Sequence, residues 1–272
     1  MVALLSQNLL IQFSLISADI IVKMKKPLQL FIALALATVL SLSGCDTRIV
    51  RSGLYDYSLI GSVVKNIDND SILAAALLKK EDSSVASAII RINNDTLKYS
   101  GGLYYRSYNS DTLLRTGNYR LRILDSTFFT DSLLFTVPAD FQITSIFPAN
   151  RINGGGATTV RVDWTASGGS NGYAYGVVLR ESAYLTNGYF GFVADGATLV
   201  SIPPDAFRLS GQLDTGWYYI YVYAYFGSPV PGGNLPTGFP AGLAPNIARN
   251  KFTGSWGAIV VAPRDSMYVT LQ

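Results

Sequence analysis

Chemistry in this chain has to come from carboxylates, phenols and one thiol, because its 272 residues contain no histidine and a single cysteine, Cys45. That excludes a His-based triad, intrachain disulfides and thiolate zinc sites, and leaves no metal or cofactor motif. A carboxylate pair of the glycosidase type needs only two Asp or Glu roughly 5–10 Å apart. Asp163, Glu181, Asp195, Asp205 and Asp214 are available for one, yet each lies beside a turn or strand end where a solvated charge is expected. The Asn66–Asp70 and Asn93–Asp95 stretches offer oxygen ligands but lack the Gly and distal Glu of a calcium loop, so they read as turns. The stretches Gly154–Gly156 and Gly168–Ser170 lack a following helix and Lys, and read as hairpin turns.

The phenols are the more distinctive feature. In WYYIYVYAYF, Trp217–Phe226, a strand places Tyr219, Tyr221, Tyr223 and Tyr225 on one face and Tyr218, Ile220, Val222, Ala224 and Phe226 on the other. If Tyr175, Val177 and Leu179 of the preceding YAYGVVLRE segment point inward, Ala174, Gly176 and Val178 lie beside the tyrosines. Small neighbours would leave ring faces uncovered, a shallow aromatic platform for a sugar ring or peptide, but cross-strand packing, or cover by the first unit or the 227–253 loop, is the favoured reading of this face.

Cys45 closes an export signal. From Met24 the chain reads two lysines, an apolar run from Leu28 to Leu42, then small residues. The run is short for a membrane span, which takes about 20 apolar residues. The ending LSGC, Leu42–Cys45, resembles the lipobox of bacterial lipoproteins. That resemblance implies cleavage before Cys45, a diacylglyceryl group on its sulfur and acylation of the new amino terminus, palmitate included. Residues 1–23 lack a basic start and carry Gln, Asn, Ser and Asp19, so translation is expected to begin at Met24, with 1–23 a mis-started leader. Three of the 21 basic residues, Lys23, Lys25 and Lys26, fall in 1–45 against one acidic residue, Asp19. The remainder is nearly neutral, which gives no electrostatic case for nucleic acid.

Beyond Cys45, strand signals recur with turn punctuation, so the fold class is all-β. The expected organisation is a signal region over 1–44, a lipid-anchored tether over 45–65, and two β-sandwich domains over 66–138 and 139–272. The segment Ser71–Lys80, rich in helix-favouring Ala and Leu, is assigned as a strand by its all-β context. A Gly/Pro-rich loop of roughly 20 residues follows Phe226 and is expected to be functional or poorly ordered.

The first unit is similar to an Ig-like module. In the second, Leu213, Gly216, Tyr218, Ile220, Val222 and Ala224, with Val160, Val162 and Trp164, resemble the F and B strands of fibronectin type III domains, from Phe141 to the C-terminus. The resemblance implies that the Tyr218 phenol bonds back to nearby backbone and that Ile220, Val222 and Ala224 face the core. Together these observations predict a non-catalytic lipoprotein of the bacterial cell envelope, a structural, adhesive or interaction module held to a membrane through Cys45. The alternative is a carbohydrate- or peptide-binding protein using the tyrosine face, with a protein or glycan partner there. A glycan hydrolase comes third.

Overall fold

The computed structural model describes residues 56–108, 114–125, 129–153, 159–179, 188–193, 196–209, 212–213, 215–227, 246–249 and 252–270. All of them belong to one compact unit, Gly53–Gln272. The first strands are β1 (Tyr57–Asn66), β2 (Ser71–Lys80), β3 (Ser83–Ser84), β4 (Ile89–Ile92), β5 (Asp95–Thr96), β6 (Lys98–Ser100), β7 (Leu103–Tyr108), β8 (Gly117–Asp125) and β9 (Phe129–Val137). The middle strands are β10 (Ile143–Phe147), β11 (Arg151–Asn153), β12 (Val160–Trp164), β13 (Gly172–Leu179), β14 (Tyr189–Val193) and β15 (Leu199–Ile202). A 3-10 turn, Pro204–Phe207, precedes β16 (Arg208–Leu209), β17 (Gln212–Leu213), β18 (Gly216–Gly227), β19 (Ile247–Arg249), β20 (Phe252–Val261) and β21 (Asp265–Thr270).

The fold is an all-β sandwich with one large sheet. That sheet runs β11-β21-β18-β20-β1-β2-β7-β6, with β13 on the other side of β18 and β14 beyond it. A four-stranded sheet, β5-β4-β8-β9, and a three-stranded sheet, β10-β12-β15, complete the layers. Residues 57–65, expected in the tether, are a strand because YSLIGSVVK alternates: Tyr57, Leu59 and Val63 are buried in the main core. β1 pairs antiparallel with β2 and, along its whole length, parallel with β20. The large sheet therefore crosses the boundary expected at 138–139. Trp256 of β20, fully buried, meets Phe135 of β9 edge-on at 5.6 Å.

Ser71–Lys80 is the expected strand, and its alanines have a packing reason. Ile72, Ala74, Ala76 and Leu78 alternate into the core, where burial overrides helix propensity. Gly61 of β1 sits beside Ala76, and a Cβ on it would lie 2.6 Å from the Trp256 ring. Small residues here make room for the indole.

The join between the two halves carries a polar tie. Lys65, 4% exposed, reaches Asp140 at 2.9 Å. The turn at 168–170 is not a hairpin: it carries the chain from β12 in the three-stranded sheet to β13 in the large one. Ala139 N donates to Gly168 O at 2.8 Å and fastens that crossing to the linker after β9.

Candidate functional site

The site is built on β18, the longest strand, because twelve residues of alternating aromatic and β-branched type favour a pleated chain buried on at least one face. Its inward residues behave as expected. Tyr218, Ile220, Val222 and Ala224 are all buried, as are Tyr175 and Val177 of β13 beside them. The Tyr218 phenol donates to Phe207 O at 3.2 Å, and the two rings meet edge-on at 5.3 Å. Val160, Val162 and Trp164 are buried on β12.

The outward residues take the packed arrangement rather than the open one. Tyr219, Tyr221, Tyr223 and Tyr225 do share a face, but it is not an open platform. Tyr223 is fully buried and Tyr221 is 9% exposed, while Tyr219 and Tyr225 are half-buried. The small neighbours on β13 are compensated one strand further out, where Phe190 of β14 lies opposite Gly176 and Phe192 opposite Ala174. A Cβ on Gly176 would lie 2.6 Å from the Phe190 ring, so the glycine leaves space that the phenylalanine fills. Phe192 meets Tyr225 edge-on at 6.1 Å. On the other side of β18, Val261 and Ile259 of β20 and Val64 of β1 complete a second apolar cluster around Tyr221 and Tyr223. Burial raises the Tyr223 phenol pKa well above its ordinary value, with Tyr221 adding to the effect.

The accessible part of the face lies at its other end. β20 and β21 run end to end along β18, and Ala262, Pro263 and Arg264 oppose Tyr221 and Val222, a bulge of one residue. Arg264 places its guanidinium over the Tyr219 ring at 4.4 Å and pairs with Asp68 at 3.3 Å. A hydrogen bond with the Tyr221 phenol raises its pKa further. Next to this, Trp217 (40% exposed) and Tyr268 (36% exposed) face solvent as a T-shaped pair at 5.3 Å. Trp217, Tyr268, Arg264 and the two phenylalanines were not singled out from sequence. Period-2 alternation in GYFGFV and SMYV was the available signal for the aromatics.

The remaining candidates resolve as structural groups. Asp163 is bound by Arg161 at 2.7 Å and by the Ser145 hydroxyl, and these hydrogen bonds hold its carboxyl below the usual range. Asp205, mostly exposed, faces Arg208 at 3.7 Å. Glu181, Asp195 and Asp214, the glycines at 154–156, the 228–245 loop and Cys45 with the signal region lie outside the described residues. Asn66 accepts the Asp68 N–H within its turn, and Asn93 accepts the Arg120 N–H. Among the described residues no cluster of three His, Cys, Asp or Glu is placed to hold a metal ion. A depression of about 530 Å³ is lined by Thr96, Lys98, Tyr105, Arg106 and Ser107, but Arg106 is committed to Asp95 at 3.0 Å.

No protein-family model matches the chain, and no curated protein matches it. Solved structures align with it only at low similarity. The fibronectin domains FN1–FN3 of chicken CNTN1 align at 8% identity over 78% of this chain and 67% of theirs, with a TM-score of 0.27. A tetra-tandem repeat from the extending region of a large adhesion protein aligns at 12% identity over 79% and 50%, with a TM-score of 0.25. The ectodomain of mouse nectin-like molecule 4 aligns at 11% over 79% and 64%, with a TM-score of 0.20. At these TM-scores no topology, activity or ligand follows for this chain.

Proposed function

We propose that this protein is a non-catalytic structural or interaction module of a bacterial cell envelope, anchored by lipid on Cys45. The observation that carries the reading is the distance in sequence from lipobox to fold. Only residues 46–56 separate Cys45 from β1, a reach of at most about 40 Å when fully extended. A sandwich tied so closely to a lipidated residue stays near the membrane surface. Two or more acyl chains make such attachment durable where one does not. The two described carboxylates of the hydrolase reading each face an arginine, which supports a non-catalytic role.

Metabolic labelling with palmitate tests the anchor. The wild-type chain takes up label and sediments with membranes, and Cys45→Ala loses both. Label that persists in Cys45→Ala overturns the reading.

A further inference from the structure

The outer face of β18 is two surfaces, a buried one around Tyr223 and an exposed one at Trp217. We propose that the exposed end, Trp217, Tyr268 and Tyr219 flanked by Arg264 and Arg151, is a binding platform for an acidic glycan, pyranose rings that carry carboxylates. The proposal rests on reading the molecule as a surface interaction module, and is independent of the lipid anchor.

The ring geometry suits a sugar. Trp217 and Tyr268 stand at 61° to one another, so a ring stacked on one face meets the edge of the other. A pyranose offers an apolar C–H face to such rings, and hydroxyls that take hydrogen bonds from neighbouring polar groups. Tyr219 lies one step along the same face of β18, with Arg264 fixed above it by the ring, the Tyr221 phenol and Asp68. A guanidinium held in this way has already lost most of its freedom before a ligand arrives.

The charges select an anion. Arg151 of β11 lies opposite Tyr268 in a parallel pair, and the burial pattern places both on the exposed side, with Ile152 and Val269 turned into the core. Arg151 makes no ion pair among the described residues, whereas the charge of Arg264 is offset by Asp68. Asp265 alternates with Ser266 and Tyr268 along β21 and shares the side of Met267 and Val269, away from the ring face. Among the described residues, the unpaired charge on the ring face is therefore the Arg151 guanidinium, whose planar fork matches a carboxylate.

The fold supplies the assay. Trp164 and Trp256 are 3% and 0% exposed, so Trp217 is the tryptophan within reach of a neutral quencher such as acrylamide. Full-length protein in detergent is titrated with oligomers of galacturonate, mannuronate and hyaluronan, with maltohexaose as a neutral control. At least one acidic oligomer should shield Trp217 from acrylamide, and added salt should weaken the effect. Calorimetric affinity should fall at least about tenfold in Trp217→Ala and about fivefold in Arg151→Ala, with most of it retained in Trp217→Phe, which keeps a ring and guards against misfolding. Cys45→Ala should bind the glycan unchanged, which separates this proposal from the anchor. The proposal is overturned if no acidic oligomer shields Trp217, if maltohexaose binds equally well, or if the correctly folded Trp217→Ala protein binds like wild type.

Discussion

The two faces of β18 share one backbone and nearly one composition, yet their environments differ. On the inward face Tyr218, Ile220, Val222 and Ala224 are uniformly buried. On the outward face exposure falls along the strand, from 40% at Trp217 to 0% at Tyr223. Strand periodicity decides which side a residue takes, but neighbouring strands decide whether that side meets water. Inside, the core covers Tyr218, Ile220, Val222 and Ala224 and leaves only Phe226 half-buried. Outside, Phe190, Val261, Ile259 and Val64 gather around one end of the tyrosine row, and the bulge carrying Arg264 leaves the other open.

The strongest way to break this comparison is to cut one large residue from each face. Tyr223→Ala should cost about 3–5 kcal/mol, as truncation of a buried aromatic does, and Ile220→Ala about 2–5 kcal/mol. Urea unfolding midpoints at constant slope report both values. A loss below about 1 kcal/mol for Tyr223→Ala, beside a normal loss for Ile220→Ala, would show that the outward cluster is not a core.

Alkaline titration sharpens the same point without mutation. Burial, with Asp95 second, raises Tyr108 to about 12, and burial, with Tyr189 second, raises Tyr175 to about 12. Tyr223 on the outward face is displaced in the same direction. Folded-state values above the unfolded one mean that the folded protein keeps protons the unfolded chain has lost. Stability is therefore intact below pH 10 and falls as pH rises towards 12, by at most about 1.4 kcal/mol per pH unit for each phenol. Phenolate absorbance followed against pH should show a late class that appears only as circular dichroism is lost. If every tyrosine ionises while the fold stays intact, the outward tyrosines are not enclosed.

Sequence reasoning reached one side of this comparison and not the other. The inward half of β18 was legible because alternation, β-branching and the Tyr218 corner are local signals. The strand at Ser71–Lys80 was legible only through its all-β surroundings, since Ala and Leu argue locally for helix. The parallel pairing of β1 with β20 was not legible, because it joins residues from opposite ends of the fold. Gly61, which makes room for Trp256, has meaning only once the two strands are side by side. What covers the outward face was not legible for the same reason. Ala174 and Gly176 were rightly placed beside the tyrosines, but the phenylalanines that fill the space over them stand on the next strand.

The smallest effect tests how the open end is held. Arg264 touches Asp68, in the turn after β1, and the Tyr219 ring on β18, so it links strands on both sides of β20. Both partners of the ion pair are partly exposed, at 43% and 35% of their side-chain surface, which keeps its value in the surface range. A double-mutant cycle with Arg264→Ala and Asp68→Ala should give a coupling of about 0.2–1 kcal/mol. Molar salt should reduce that coupling, because the screening length there falls to about 3 Å, comparable to the 3.3 Å pair. The part of the Arg264→Ala loss that survives in high salt then belongs to the Tyr221 hydrogen bond and the contact with Tyr219, whose cation–π attraction runs about 0.5–1 kcal/mol at exposed sites. A coupling that salt leaves unchanged would mean that the open end is as enclosed as the Tyr223 end, and the distinction between the two would fail.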